Sequence, residues 1–260
     1  DIYGDASHFR EGFEMYANLH PADGVVIQRY GLNLPTNAQT FTYGVNEVEA
    51  DFSAHNLRYE NERFLMDVSL PYEDLVDVEL GIPGLHNAEN ALACIALCYQ
   101  LEIELDVVCD ALKTFKGVKR RFEYQIKSQK LIYIDDYAHH PTELKALIDS
   151  IKLMYPDRQV TGVFQPHLFS RTRDFFDGFA EQLSRLDEAI VMPIYPAREL
   201  PIPGVTSDAL LDAIKNDSKK ILSPSEVVSY LSTKDEGVFL TIGAGDIDRI
   251  VPQLKEIWSE

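Results

Sequence analysis

Two aspartates, a tyrosine, two histidines and a closing glutamate fall within "DDYAHHPTE", residues 135–143. Asp135, Asp136, His139 and His140, joined by His167, are the residue types that hold a divalent metal in a phosphoesterase. The same groups serve general acid–base chemistry. A third reading is a strand end that grips a substrate and needs no metal. If a strand continues through both aspartates, their side chains point to opposite faces and do not easily share one ion. Pro141 suits a first helical position, so either histidine also has a plain use as the lead-in to a helix.

Three further polar clusters each follow an apolar run. "VTGVFQPHLFSRTRD" leads into Gln165, His167, Arg171 and Arg173; "AIVMPIYPARELPIPG" leads into Tyr195, Arg198 and Glu199; "VFLTIGAGDI" leads into Gly243–Asp246. Ligands of open α/β sheets bind at the carboxyl ends of strands, so four such clusters imply a crevice along one sheet edge. Alone, each has a simpler use. "GAGD" is half of a dinucleotide fingerprint and equally a tight strand-to-helix turn, with Asp246 as its cap. Arg120 and Arg121 in "GVKRRFE" are a solvated basic pair or a fork for phosphate. Asn87 and Asn90 in "HNAEN" share one helix face, where asparagine caps the helix or pairs with adenine. The phosphate-cradling pattern G-x-x-x-x-G-K-[ST] is absent, since the sequence has no Gly-Lys pair.

The elements that must position these groups follow from periodicity. Residues 5–19 carry Phe9, Phe13 and Tyr16 at helical spacing. A strand near 24–29 and a hairpin over 49–70, turning at Asn61-Glu62, come next. "GIPGLHNAENALACIALCYQL" is a turn feeding a helix with Ala88, Ala91, Leu92, Ile95, Cys98 and Tyr99 on one face, and a second helix spans about 105–115. Beyond residue 118 the pattern alternates regularly. Strands at 121–127, 130–135, 159–164, 188–192, 219–222 and 237–242 are interleaved with helices at 141–154, 172–186, 206–215, 224–232 and 246–258. That alternation reads as βαβ units around a mostly parallel sheet.

The 260 residues are 45% hydrophobic, enough for one or two cores, and carry a formal net charge of -18. Such a balance argues against a nucleic-acid surface, which wants a basic face, but not against a nucleotide held by a few local arginines. Cys94, Cys98 and Cys109 form no disulfide framework and fit a reducing compartment; Cys94 and Cys98, four apart in an apolar helical stretch, read as buried small hydrophobes. No apolar run reaches the roughly 20 residues that span a bilayer, and no signal peptide is evident.

Taken in order, "GLHNAENALA", "GVKRRFE", "DDYAHHPTE", "FQPHLFSRTRDFFDGFAEQL", "PIYPARELPIPGVTS" and "GAGDI" resemble the Mur ligases of bacterial cell-wall synthesis over nearly the whole chain. The resemblance implies an α/β chain in two parts. Residues 1–117 would be the C-terminal part of a central ATPase domain with a mixed sheet, and residues 118–260 a Rossmann-like C-terminal ligase domain. It implies a cytoplasmic ATP-dependent ligase whose small-molecule substrates are UDP-N-acetylmuramate and L-alanine, joined through an acyl phosphate. The murein-peptide ligase of the same family shares "DD.AHHPT" and is the alternative, beside the phosphoesterase and a module that only binds nucleotide.

By the same resemblance, His86, Asn87 and Asn90 would contact adenine and Arg121 the terminal phosphate of ATP. Asp136 would bind ribose and Tyr137 would lie against the nucleotide. His139 and Arg171 would hold the amino acid, Arg171 through its carboxylate, so Arg121 and His139 carry the catalysis. "DIYGD" resembles the stretch after a metal-binding histidine. The sugar domain, the phosphate loop and most ligands for Mg would then precede Asp1; no metal site is expected here, and these residues alone are expected not to ligate. Relatives read "QPHR" where this chain has His167-Leu168. A second carboxylate-binding arginine is therefore missing, and Arg173 or Arg198 is the candidate to compensate.

Overall fold

The computed structural model describes residues 6–259; "DIYGD", expected to follow a metal-binding histidine, lies outside them. The chain divides into two compact units, Asp1–Lys116 and Gly117–Glu260.

The first unit contains helix α1 (Ala6–Ala17), strands β1 (Val25–Arg29), β2 (Gln39–Val45), β3 (Phe52–Glu60), β4 (Arg63–Ser69) and β5 (Asp74–Leu80), then helices α2 (Leu85–Gln100) and α3 (Leu105–Thr114). Its sheet runs β1-β2-β3-β4-β5. The first three strands are parallel and the last two antiparallel, so the sheet is mixed. The β3–β4 hairpin turns at Asn61 and Glu62, both at positive φ (50° and 62°), as a two-residue hairpin loop with right-handed strand twist demands. Phe52, Ala54, Met66 and Val68 are fully buried, and α2 buries Ala88, Ala91, Leu92, Ile95 and Ala96.

One expectation fails in this unit. Cys94 is exposed and Cys98 is only half-buried, because Ala88, Ala91, Leu92, Ile95 and Ala96 already fill the inward stripe of α2. Phe9 and Tyr16 on α1 are 51% and 66% exposed: helical spacing makes an apolar face without settling what covers it. Strands β2 and β5 carry period-2 alternation, Phe41, Tyr43 and Val45 in the one and Val76, Val78 and Leu80 in the other, although neither is bounded from the sequence above.

The second unit begins with β6 (Glu123–Lys127) and β7 (Leu131–Asp136), followed by α4 (Pro141–Met154) and β8 (Val160–Phe164). Helices α5 (Phe169–Asp174) and α6 (Phe176–Leu183) lead to β9 (Glu188–Val191), α7 (Ser207–Ala213), β10 (Lys219–Ile221) and α8 (Pro224–Leu231). Strand β11 (Gly237–Ile242), a 3-10 turn at Asp246–Arg249 and α9 (Val251–Ser259) complete it. The sheet order is β10-β9-β8-β11-β7-β6, parallel except for β6 at one edge. Every residue of β7, β8 and β9 is buried. Strands covered on both faces read as continuous apolar runs rather than alternation, which is why the sequence pattern was clear here.

Two helices expected to be single are broken. The run over 172–186 starts at Phe169 and breaks at Phe175 (φ -117°, ψ 21°) into α5 and α6. The run over 246–258 is the 3-10 turn followed by α9. Pro252 lacks an N–H and fits only within a first turn, so the helix restarts at Val251. Because β7, β8, β9 and β11 are parallel, their carboxyl ends at Asp136, Phe164, Val191 and Ile242 share one sheet edge.

Candidate functional site

At that edge the second unit presents an arginine turn, a histidine pair and an arginine-bearing short helix. The turn precedes β6. Arg120 and Phe122 adopt positive φ (59° and 49°), a conformation that costs a non-glycine residue about 1 kcal/mol or more. It is held by three bonds: Phe122 N–H donates to Asp136 Oδ2 (2.7 Å), Arg120 N–H to Glu123 (2.8 Å), and Tyr137 N–H to the Arg120 carbonyl (2.7 Å). Arg120 folds back. Its Nε donates to buried Asp135 (3.2 Å) and its Nη2 to the Gly243 carbonyl (2.6 Å). Arg121 stays outward, its side chain 47% exposed. The Tyr137 ring takes both guanidiniums, at 4.9 Å from Arg120 and 5.5 Å from Arg121.

Past Asp136 the chain enters the histidine pair. His140 is the N-cap of α4, its ring accepting the Thr142 N–H at 3.2 Å. Glu143 completes the capping box, receiving the N–H groups of His139 (2.8 Å) and His140 (3.1 Å) on one oxygen. Its other oxygen faces Arg121 Nη1 at 3.4 Å. Burial pushes the Glu143 carboxyl up, but the His139 N–H, His139 and Arg121 outweigh it and hold it below the usual range. His139 Nδ1 sits 2.9 Å from the Tyr137 carbonyl. A carbonyl only accepts, so this contact assigns the proton to Nδ1 and leaves the Nε2 lone pair for a ligand.

The third component follows β8. His167 lies flat against Tyr195 (5.6 Å between centroids, 15°) and near Arg171 (Nδ1 to Nη1 3.4 Å). Glu199 accepts the Ser170 N–H at 2.8 Å and the Ser170 hydroxyl, fixing the start of α5 and with it Arg171. Burial lowers the pKa of His167, and Arg171 and His139 lower it further. Burial also lowers that of His140; Glu143 opposes, while His139 and Arg171 add to the drop. The His140 ring meets Phe175 edge-on (4.3 Å), Phe175 N–H donates to the Arg171 carbonyl (3.0 Å) and Arg171 meets His167, so the histidine pair adjoins the helix that carries Arg171, an arrangement suited to an anionic carboxylate beside an amine.

The model of the Mur ligase middle domain matches residues 21–98, and that of the Mur ligase glutamate ligase domain matches residues 120–247. The chain belongs to the Mur ligase family. The UDP-N-acetylmuramate--L-alanine ligases of Flavobacterium johnsoniae and Flavobacterium psychrophilum are 48% identical over 261 residues and 43% over 256. These alignments take in 100% and 98% of this chain but 57% and 56% of the relatives, so the chain spans little more than half their length. The crystal structure of UDP-N-acetylmuramate-alanine ligase MurC from Thermotoga maritima superposes with a TM-score of 0.80 at 25% identity, over 98% of this chain and 56% of that one. MurF ligase from the same organism, in complex with ADP, shares the fold (TM-score 0.77, 16% identity, 100% of this chain and 59% of that one).

Within this Mur ligase chain, Arg121, Tyr137, His139 and Arg171 gather in the second unit. Asp136, expected to bind ribose, is buried at the end of β7. It is 4% exposed, and its oxygens accept the Phe122 and Ala138 N–H groups (2.7 and 2.8 Å). Strand β7 continues through it, and burial raises its pKa against those two bonds. Asp135 is engaged elsewhere, by Thr241 and Arg120. The metal-dependent phosphoesterase reading fails with this: among the described residues no three His, Cys, Asp or Glu side chains are placed to hold an ion.

Gln165 was named only as part of a cluster, yet it organises the "GAGD" turn. Its amide donates to Asp246 Oδ1 and its carbonyl accepts the Ile247 N–H, both at 2.8 Å. Asp246 is therefore a partner of Gln165 and not the cap, which is Gly245. A side chain at Gly243 (φ 147°) would meet the Gln165 carbonyl at 2.7 Å. Leu168 takes φ 70° and ψ 137° at the start of α5. Arg173 is paired with Asp174 (2.8 Å), and both Arg173 and Arg198 are exposed.

His86, Asn87 and Asn90 belong to the first unit, in the opening turns of α2. The helix is capped by Gly84 without a side-chain bond, so neither asparagine caps it. Asn87 instead donates its amide to the Pro83 carbonyl (2.8 Å), and Asn90 is exposed.

Proposed function

We propose that the protein carrying this chain is an ATP-dependent ligase that joins L-alanine to UDP-N-acetylmuramate through an acyl phosphate, in the cytoplasmic stage of peptidoglycan synthesis. The observation that carries the reading is the convergence of Arg121, His139 and Arg171 at one sheet edge. The names of the relatives at 43% and 48% identity support the choice of substrates.

Each group has a chemical task. The exposed Arg121 guanidinium binds the terminal phosphate of ATP and stabilises charge as the phosphoryl group moves to the lactyl carboxylate. Tyr137 lies against the nucleotide. Arg171 binds the carboxylate of L-alanine as a fork. His139, protonated at Nδ1, offers Nε2 to a proton of the alanine amine and so orients its lone pair for attack. His86, Asn87 and Asn90 present amide and ring groups for adenine. Asp136 supports the arginine turn. Mg binds through one or two carboxylates together with substrate phosphates, and no step is assigned to it.

The test is ADP release by the intact gene product. The reading expects release only when UDP-N-acetylmuramate and L-alanine are both present. Release that depends on a murein peptide in place of L-alanine would move the protein to the other branch of the family. Residues 1–260 alone, with no G-x-x-x-x-G-K-[ST] loop, are expected not to turn over; turnover by them would refute that part.

A further inference from the structure

We propose that Glu143 is a positioning residue that ties the phosphate-binding arginine to the amino-acid-binding histidine. The proposal rests on the ligase reading above and adds a residue to it. A capping box needs one oxygen of its glutamate, and here Oε2 fills that need through the N–H groups of His139 and His140. The charge and the second oxygen are surplus to the cap. Oε1 lies 3.4 Å from Arg121 Nη1, and Oε2 lies 3.4 Å from His139 Nδ1.

Both contacts act on the atoms that meet ligand. Arg121 sits in a turn with positive φ on either side and a half-exposed side chain, so its backbone is fixed while its head is free to swing. Glu143 and the Tyr137 ring are the described groups that restrain that head. At His139, the carboxylate beside Nδ1 reinforces the bond to the Tyr137 carbonyl and keeps the proton there. Nε2 is then the nitrogen left to the amine. One carboxylate thereby sets the rotamer of one substrate-binding group and the tautomer of the other, with helix α4 as the rigid mount.

The experiment uses the intact protein and Glu143→Gln. Glutamine keeps an oxygen for the cap but loses the charge. The expected result is a modest fall in melting temperature, from the lost charge that its partners stabilise, with kcat of the folded enzyme about tenfold lower, equivalent to ~1.4 kcal/mol. The effect should shrink to twofold or less in an Arg121→Lys background, because residues that act through one another are not additive. A Glu143→Gln enzyme as fast as wild type, or a loss of the same size in both backgrounds, overturns the proposal. Nitrogen NMR of His139 in the wild-type protein gives a check that needs no variant: the Nδ1–H tautomer is expected, and the Nε2–H tautomer refutes it. Wild-type protein without L-alanine-dependent ADP release would refute the ligase reading instead, so the two failures are distinguishable.

Discussion

Arg120→Met isolates the most heavily engaged side chain of the arginine turn. Methionine keeps much of the stem but removes the guanidinium from Asp135, which is 2% exposed, and from the Gly243 carbonyl. Leaving one partner of a buried pair behind costs about 3–5 kcal/mol, and a charged hydrogen bond to a carbonyl is worth about 1.5–3 kcal/mol. The two losses share one side chain and do not add. The Arg120 side chain is also 20% exposed, so water partly refills the gap. A net loss of ~3 kcal/mol follows, lowering Tm by roughly 6–12 °C for a domain of this size.

Two controls tie the loss to the pair. Asp135→Asn in the same chain should recover about half of it, since the stranded charge is gone. Burial already raises the Asp135 pKa, with Arg120 and Thr241 opposing, so losing Arg120 raises it further. A raised folded-state pKa means stability is present at low pH and is lost as pH rises through that value. The deficit of Arg120→Met should therefore narrow as pH falls. Thermal and urea melts of the four proteins measure all of this. A change under ~0.5 kcal/mol, or no recovery from Asp135→Asn, would refute the buried-pair argument.

Gly243→Ala should cost about 1–3 kcal/mol in a urea melt, because alanine must hold a positive φ and crowd the Gln165 carbonyl. His140→Ala removes the acceptor of the Thr142 N–H and should cost about 1 kcal/mol, seen as earlier melting. Arg171→Ala in the intact protein should raise KM for L-alanine by roughly tenfold to a hundredfold, the worth of a charged hydrogen bond of about 1.5–3 kcal/mol; an unchanged KM would remove Arg171 from the amino-acid site. Burial pushes Glu143, Asp149 and Glu188 up, yet their partners hold all three below the usual carboxylate range. Such groups stabilise the fold above their unfolded values, about 4.3 for glutamate and 3.9 for aspartate, and lose that contribution as pH falls through their folded ones. Tm should thus drop below about pH 4, and less steeply in Glu188→Gln.

The parallel sheet was readable because burial on both faces writes itself as unbroken apolar runs, as in "LIYIDD" and "VTGVF". Helix α4 was readable to the residue because His140, Pro141 and Glu143 are local chemistry that acts within one turn. The breaks at Phe175 and Ile250 were not, since an apolar stripe continues across them and only packing interrupts the helix. The exposure of Phe9, Tyr16 and Cys94 escaped for the same reason: spacing shows a face but not its cover.

By itself the sequence determined which residue types stand at the strand ends and in what order, because those depend on neighbours along the chain. Only the tertiary structure decided their roles. Asp136 is spent on the backbone of Phe122, 14 positions away, and Arg120 on the carbonyl of Gly243, 123 positions away. Partners so distant in sequence leave no periodic trace, and hydrogen bonding to them is what separates the residues left open to a ligand from those consumed in holding the site together.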